Sequence, residues 1–359
     1  MASQTEQGPE ATSTNASTTH QTVDQVAEIR RWFRPAEDSE IYSQVQAYLS
    51  ASLDLDTFVS KFTAPIDEVL RTVKYYDGEL SGTWWDLGIA IFHSSKQIPY
   101  SDEDGHTRLV NLNKALKDHP DPQPNLLTAP AWKTLPWHYM VVREVFNDKP
   151  RSSDYVEIDS SDDEDEDDLN ADSNDVDVEQ EGDGEDEENE DEDGEDGEDD
   201  GSTSDEQEAT VDVEVEANFW ANFNYHLARL TDDGVQDMTT YFAIWAVRDA
   251  LEDNYDATPI AYDAYIPAAA AWMRGAGRVL YTKEVDLTPT DPSQGNPAGG
   301  GDLWTGVAGF AKDRWAFWKK RFASIAGVDG IREGTRRTAK EAIEWMEKAE
   351  RDVDSGGSG

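Results

Sequence analysis

The sequence contains no cysteine among its 359 residues. This absence excludes disulfide bonds, cysteine-ligated zinc and a thiol nucleophile, and it fits a reducing compartment. Long apolar runs are also missing, since no uninterrupted stretch approaches the roughly 20 residues that a membrane span needs. The first 20 residues have neither an apolar stretch nor a basic leader, so no signal peptide is expected. We therefore expect a nuclear or cytoplasmic protein that is not secreted.

Basic residues are scarce, and the acidic residues concentrate in one tract. The chain has 30 Lys and Arg against 77 Asp and Glu, a formal net charge of −47. Between Asp154 and Glu216 there are 35 acidic residues and no Lys or Arg, and the rest of the chain has a net charge of −12. This balance argues against direct binding to nucleic acid or to an anionic membrane, because both attract basic surfaces. Like charges at the density of the tract repel one another, so residues 151–216 are predicted to form a disordered, coil-rich linker.

Outside the tract, apolar residues recur at helical spacing and predict helices joined by Pro- and Gly-rich loops. Phe58 and Phe62 mark one face of a helix expected over 54–75, with Pro65 as a kink or boundary. Only VDVEV at 211–215 alternates like a strand. The predicted fold class is all-α: a single irregular helical bundle interrupted by a long disordered acidic insert. The predicted boundaries are a disordered tail at 1–20, the first half of the domain at 21–150, the insert at 151–216, the second half at 217–352, and a tail at 353–359.

Several stretches outside the tract share one pattern: LVNLNKALKDHPDPQP (109–124), LPWHYMVVREVFND (135–148), ANFNYHLARLTDDG (221–234), YFAIWAVRDALE (241–252), IPAAAAWMRGAGRVLY (266–281) and GGDLWTGVAGFAKDRWAFWKKRF (300–322). Together they resemble the family of uncharacterised helical proteins catalogued as domain of unknown function 3632. The resemblance spans roughly Asp38 to Arg351, apart from the acidic insert. It implies an α-helical fold and a filamentous fungal source. It implies no activity, so no catalytic residue is carried over. Because the insert falls between two family blocks, the resemblance favours one split domain.

The acidic tract has several open interpretations. It could bind basic proteins softly and at many points, steered by long-range charge, or mimic a nucleic acid. It could equally be a solubilising spacer in a loop that tolerates insertion. Specific calcium binding is not favoured, because an EF-hand needs flanking helices and ligands at fixed positions.

Two short motifs lie at the start of the tract. Val156 and Ile158, followed by acidic residues, resemble a SUMO-interacting segment, in which a short apolar strand adds to a sheet edge. Ser160 and Ser161 each have an acid three residues later, a pattern typical of sites for acid-directed kinases, and phosphate would add further negative charge. A chance match is the alternative for both motifs, because an acidic tract generates such patterns freely.

The C-terminal region is locally basic, with ten bases against seven acids over residues 303–350. Trp315, Trp318 and Phe322 are predicted to face the core, which leaves the bases between them in solvent. We therefore hypothesise that the acidic tract docks in cis on this region, with screening by salt. The candidate docking residues are Lys312, Lys319, Lys320, Arg321, Arg336 and Arg337.

Motifs for catalysis and cofactor binding are absent. The six histidines form no i,i+4 pair and no HExxH, and Gly299–Gly301 lacks the Lys-Ser/Thr of a phosphate loop. No catalytic residue, cofactor or metal is predicted. One possible polar cluster comprises Arg229, Arg248, Asp249 and Glu252, on two helices expected to be antiparallel neighbours. These residues could line a pocket or form an ion-pair network that sets helix register.

Two functions follow as hypotheses. The first is a non-enzymatic interaction or regulatory protein whose insert engages basic partners or its own basic C-terminal helices. The alternative is an enzyme or small-ligand binder with a pocket between the helices that follow the insert. A filled core, with Arg248 and Asp249 satisfied by each other or by their neighbours, would favour the first. The oligomeric state does not follow from the sequence.

Overall fold

The helices begin where the sequence offers capping carboxylates. Asp54 accepts a hydrogen bond from the Thr57 N–H at 2.9 Å, and Asp102 accepts one from the Gly105 N–H at 3.0 Å. Asp212 does the same for the Glu214 N–H at 2.8 Å. Each carboxylate satisfies a backbone donor that has no partner within the first turn of a helix.

A computed structural model describes residues 22–30, 33–72, 78–123, 130–150 and 212–356, except 292 and 294. Its helices are α1 (Val23–Arg30), α2 (Pro35–Asp38), α3 (Tyr42–Leu49), α4 (Leu55–Leu70), α5 (Gly78–Gln97), α6 (Glu103–Asp118), α7 (Ala131–Thr134), α8 (Trp137–Asn147), α9 (Val213–Asp232), a π-helical turn (Thr239–Ala243), α10 (Ile244–Leu251), α11 (Ile260–Thr282), α12 (Lys312–Ile325) and α13 (Glu333–Gly356). Within these ranges the strands are β1 (Val285–Asp286) and β2 (Gly309–Phe310), which pair antiparallel. The all-α prediction is confirmed.

Helix α11 lies at the centre of the fold, where α9, α10 and α13 pack against it. Its segment Ala268–Ala271 is fully buried, because alanine side chains let neighbouring helices approach closely. Helices from before and after the insert share one continuous core. The Phe92 and Phe223 rings lie 5.9 Å apart, and the Phe146 and Trp220 rings lie 4.7 Å apart. The predicted single bundle is therefore one packed unit in which both halves of the chain complete the same core.

The structure moves three predicted boundaries. Helix α9 begins at Val213, so the last three residues of VDVEV are helical rather than strand-like, and the insert ends before residue 216. Val213, Val215 and Glu216 are buried against the body, which overrides the local alternation. Helix α4 continues through Pro65, because the buried face around that residue is continuous. Helix α13 runs on to Gly356, beyond the predicted end at 352.

The close approach of α9 and α11 at Gly275 gives a testable contrast between two helical glycines. A Cβ added at Gly275 would lie 2.7 Å from the Ala228 Cβ, whereas one added at Gly82 would meet nothing within 4 Å. Alanine normally stabilises an exposed helix position by about 0.5–1 kcal/mol relative to glycine. Crowding at a packed position costs about 1–3 kcal/mol instead. We therefore expect Gly82→Ala to raise, and Gly275→Ala to lower, the free energy of unfolding in urea titrations. Equal effects of the two substitutions would contradict the tight helix contact.

Candidate functional site

The two ends of the acidic insert meet at one ion-pair cluster, which we call the insert root: Arg30, Lys96, Asp148 and Glu216. Asp148 follows the end of α8, and Glu216 lies in the first turn of α9. Arg30 Nη1 lies 3.2 Å from Asp148 Oδ1, and the same guanidinium contacts the Glu216 carboxylate. Lys96 Nζ lies 2.8 Å from Asp148 Oδ2. The root therefore pairs two cations with two anions on either side of residues 151–211.

Further contacts fix each end separately. On the α8 side, Lys149 pairs with Asp249, and the Tyr265 hydroxyl donates to the Pro150 carbonyl at 2.8 Å. On the α9 side, Arg332 Nη1 lies 2.8 Å from a Glu214 carboxylate oxygen and 3.3 Å from Asp212. The two ends are thus anchored by residues from α1, α5, α10 and α11 and by Arg332, which precedes α13.

The charges of the insert root balance one another, whereas the insert that it joins is strongly acidic. The four root side chains are between 5 and 19 % exposed, so their charges are mutually neutralised in a poorly hydrated place. Residues 151–211 contain 32 acids against the single base Arg151. The sequence did not indicate Arg30 as a site residue, because its partners are 118 and 186 residues away along the chain.

The model of the family described as "Protein of unknown function (DUF3632)" matches residues 89–322. The chain belongs to this family. The match includes both sides of the insert and runs from within α5 to within α12. Helices α1 to α4 and α13 lie outside it. No curated protein and no solved structure matches the chain.

The predicted polar cluster does not assemble into one site. Arg229 pairs with Glu103 and Asp233 on the side of α9 that faces α6, away from the other three. Arg248 lies 3.6 Å from Asp249, which also binds Lys149. The expectation of a single cluster is wrong, because α9 packs mainly on α11 and α5 rather than on α10.

Glu252, the fourth member, is fully buried and bound to Arg314, which is also fully buried. The pair is bidentate: Arg314 Nε and Nη2 donate to the two Glu252 carboxylate oxygens at 2.7 and 2.8 Å. Trp318 Nε1 and the Gly301 N–H donate to the same carboxylate. Arg314 also donates to the carbonyls of Ala298, Gly299 and Gly309. Together these bonds connect the end of α10, helix α12, the loop at 298–301 and Gly309 of β2, so this network holds the loop in place.

Four of the six predicted docking cations are engaged within the fold. Three of them donate to backbone carbonyls: Lys312 to Tyr281 at 2.6 Å, Arg321 to Leu251 at 2.9 Å, and Arg336 to Ala326 at 3.2 Å. The fourth, Lys319, pairs with the Glu350 carboxylate at 2.7 Å. Lys320 is exposed. Arg337 is 69 % exposed and lies 3.9 Å from Glu341. Docking of the tract on this region stays a prediction, with Lys320 and Arg337 as the most accessible charges of the set. Trp315, Trp318 and Phe322 are buried as predicted.

Val156, Ile158, Ser160 and Ser161 lie outside the described residues, as do the predicted N-terminal tail and the body of the insert. The SUMO-interacting segment and the phosphorylation sites therefore stay predictions. Among the residues that the structure does describe, no group of three or more His, Asp or Glu is placed to hold a metal ion. Over the same residues, every helix is too short or too polar to cross a membrane.

Three histidines form a buried group that sequence reasoning missed: His106, His138 and His226. His138 Nε2 lies 2.9 Å from Asn113 Oδ1, and His106 Nε2 lies 3.0 Å from the Ile98 carbonyl oxygen. The Nδ1 atoms of all three lack a hydrogen-bond partner within the described part of the chain. Burial lowers the pKa of His106 to about 4 and that of His138 to about 3, and it lowers the pKa of His226 well below its ordinary value. The three imidazoles are therefore neutral near pH 7.

Proposed function

We propose that this protein is a non-enzymatic interaction protein whose helical body presents the acidic residues 151–211 to basic protein partners. The observation that carries the proposal is the insert root, where Arg30 binds both Asp148 and Glu216. A spacer needs no such fixation, whereas a charged binding segment with both ends held at one place keeps its acids at a high local concentration.

The folded body supports the proposal in two ways. The Asp249 carboxylate pairs with Lys149 and lies 3.6 Å from the Arg248 guanidinium. Such pairing is expected if the helices after the insert do not enclose a substrate pocket. The buried Glu252 carboxylate accepts four hydrogen bonds and so offers no free group to a ligand. These contacts favour the interaction role over a small-ligand site.

The deciding experiment is titration of the full chain with purified core histones, as a basic protein probe, followed by fluorescence anisotropy. The key variant replaces every Asp and Glu of residues 159–208 by Asn and Gln, which preserves length and removes charge. We expect this variant to bind at least about tenfold more weakly. Raising the salt concentration should weaken binding by the wild-type chain, because the attraction is between solvated charges.

A second variant with residues 159–208 shuffled is the matched control. It keeps the composition and charge of residues 159–208 and changes only their order, so it should bind like the wild-type chain. Equal binding by the amide variant and the wild-type chain would assign the insert to the spacer role. A fungal source and a nuclear or cytoplasmic location stay predictions.

A further inference from the structure

Helix α1 is buried against the body but stands apart from its core. Val23, Val26 and Ala27 are each less than 8 % exposed. None of them belongs to the continuous cluster of buried apolar residues that links the helices from α3 to α13. The helix also lies outside the family-matched residues 89–322. Helix α1 is therefore an appended element rather than a part of the central packing.

The surface beneath α1 is a groove within the family-matched part of the chain. Its walls come from α5, from the segment after α8 and from the first turns of α9. The lining residues opposite α1 are His93, Lys96, Asp148, Pro150, Glu216, Phe219 and Trp220. The space left between α1 and this groove is a cavity of about 30 Å³, enough for no more than about two water molecules. The groove thus fits a helix closely.

Polar contacts hold α1 at both of its ends. Near the start, the Asp24 carboxylate lies 2.7 Å from His93 Nε2 and accepts a hydrogen bond from Gln97 Nε2 at 2.9 Å. At the last residue, Arg30 binds the two carboxylates of the insert root. The apolar contacts between these ends come from positions 23, 26 and 27. The pattern of anchors is i, i+3, i+4 and i+7, with an acid at i+1, which is the pattern of an amphipathic helix bound in a groove.

An isolated helix of eight residues is not stable in water, since about 12–15 residues are needed even for favourable sequences. Helix α1 has eight residues. Its helical form therefore depends on the groove, as it does for a peptide that folds on binding.

We propose that the groove beneath α1 is a helix-binding site, occupied in cis by α1, which accepts an amphipathic helix of a partner protein in its place. The partner helix carries Val or Ala at i, i+3 and i+4, an acid at i+1 that faces His93, and Arg at i+7 that faces Asp148 and Glu216. Exchange also acts on the insert root, because Arg30 leaves it together with α1. Helix binding in this groove is independent of which partner the acidic insert binds.

The test uses the full chain and a fluorescent synthetic peptide of residues 21–34 as the probe. In the wild-type chain α1 occupies the groove and competes with the peptide. Val26→Asp places a charge on the apolar face of α1 and is expected to expel it, so this chain should bind the peptide at least about tenfold more tightly than the wild type. Glu28→Ala, which changes an exposed residue of the same helix, should leave peptide binding as weak as in the wild type. A peptide that carries Val26→Asp should not bind any of the three chains.

Arg30→Gln is a second, milder variant, which removes the cation at i+7 and keeps the apolar face; it should bind the peptide with intermediate affinity. Circular dichroism checks that each chain retains its helical content. The proposal is overturned if the Val26→Asp and Arg30→Gln chains both stay folded and neither binds the peptide. It is also overturned if both chains lose the folded body, because α1 would then be part of the core. A wild-type dimer in light scattering that dissociates on adding the peptide would overturn the assignment to a partner protein, because a second copy would then be the occupant.

Discussion

Glu252→Ala is expected to destabilise the folded chain by about 3–5 kcal/mol, because it leaves the buried Arg314 without its counter-ion. Both side chains are fully buried. The Arg314 guanidinium would keep only carbonyl partners, and Trp318 Nε1 would lose its acceptor. The free energy of unfolding from urea titrations measures the effect.

The matched comparison removes the pair as a whole. The double variant Glu252→Leu with Arg314→Met leaves no buried charge, so it should be clearly more stable than Glu252→Ala. Lys348→Ala serves as the surface control, since the Lys348–Asp352 pair is exposed and pairs of that kind contribute at most about 1 kcal/mol. A loss below about 1 kcal/mol for Glu252→Ala would show that the loop network does not depend on its ion pair.

Lowering the pH from about 7.5 to about 5.5 is expected to cost about 4 kcal/mol of stability from the histidine group, or about 1.4 kcal/mol for each histidine. The ordinary pKa of 6.5 applies to the unfolded chain, whereas burial lowers the pKa of all three histidines in the fold. Below pH 6.5 the unfolded state therefore binds protons that the folded state excludes. The histidines make their full contribution to stability above pH 6.5. This contribution is lost as the pH falls from 6.5 toward the pKa values of the folded state.

His106→Gln is the test variant for this loss. Glutamine cannot take up a proton and can still donate to the Ile98 carbonyl that His106 Nε2 approaches. Urea titrations at the two pH values should show a pH-dependent loss that is smaller in His106→Gln than in the wild type by about 1.4 kcal/mol. The window lies above the ordinary range of the carboxyl pKa values, so the acidic tract contributes little to it. An unchanged pH dependence in His106→Gln would contradict the assignment.

Fold class was predictable because its signals are local. Helical periodicity of apolar residues is a property of neighbours in sequence, and it correctly placed Trp315, Trp318 and Phe322 in the core. The start of α9 was not predictable in the same way. Residues 211–215 alternate like a strand, yet α9 begins at Val213, with Val213 and Val215 buried against the body.

The candidate site depends on contacts that local spacing does not reveal. Glu252 was expected in a polar cluster with Arg229, Arg248 and Asp249. Its partner is instead Arg314, 62 residues later. Spacing in sequence indicates ionic partners only within a helical turn or two. Between distant elements, many cations compete for one carboxylate, and the packing of the helices selects among them.

The sequence by itself determined the all-helical class, the position of the acidic insert and its charge, because these depend on composition and short-range pattern. Only the tertiary structure decided that Arg30 joins both ends of the insert, that α1 lies in a groove outside the core, and that three histidines are buried together. Each of these arrangements brings together residues far apart in the chain. Their proximity follows from how the helices pack, since burial and electrostatic pairing act through space and not along the sequence.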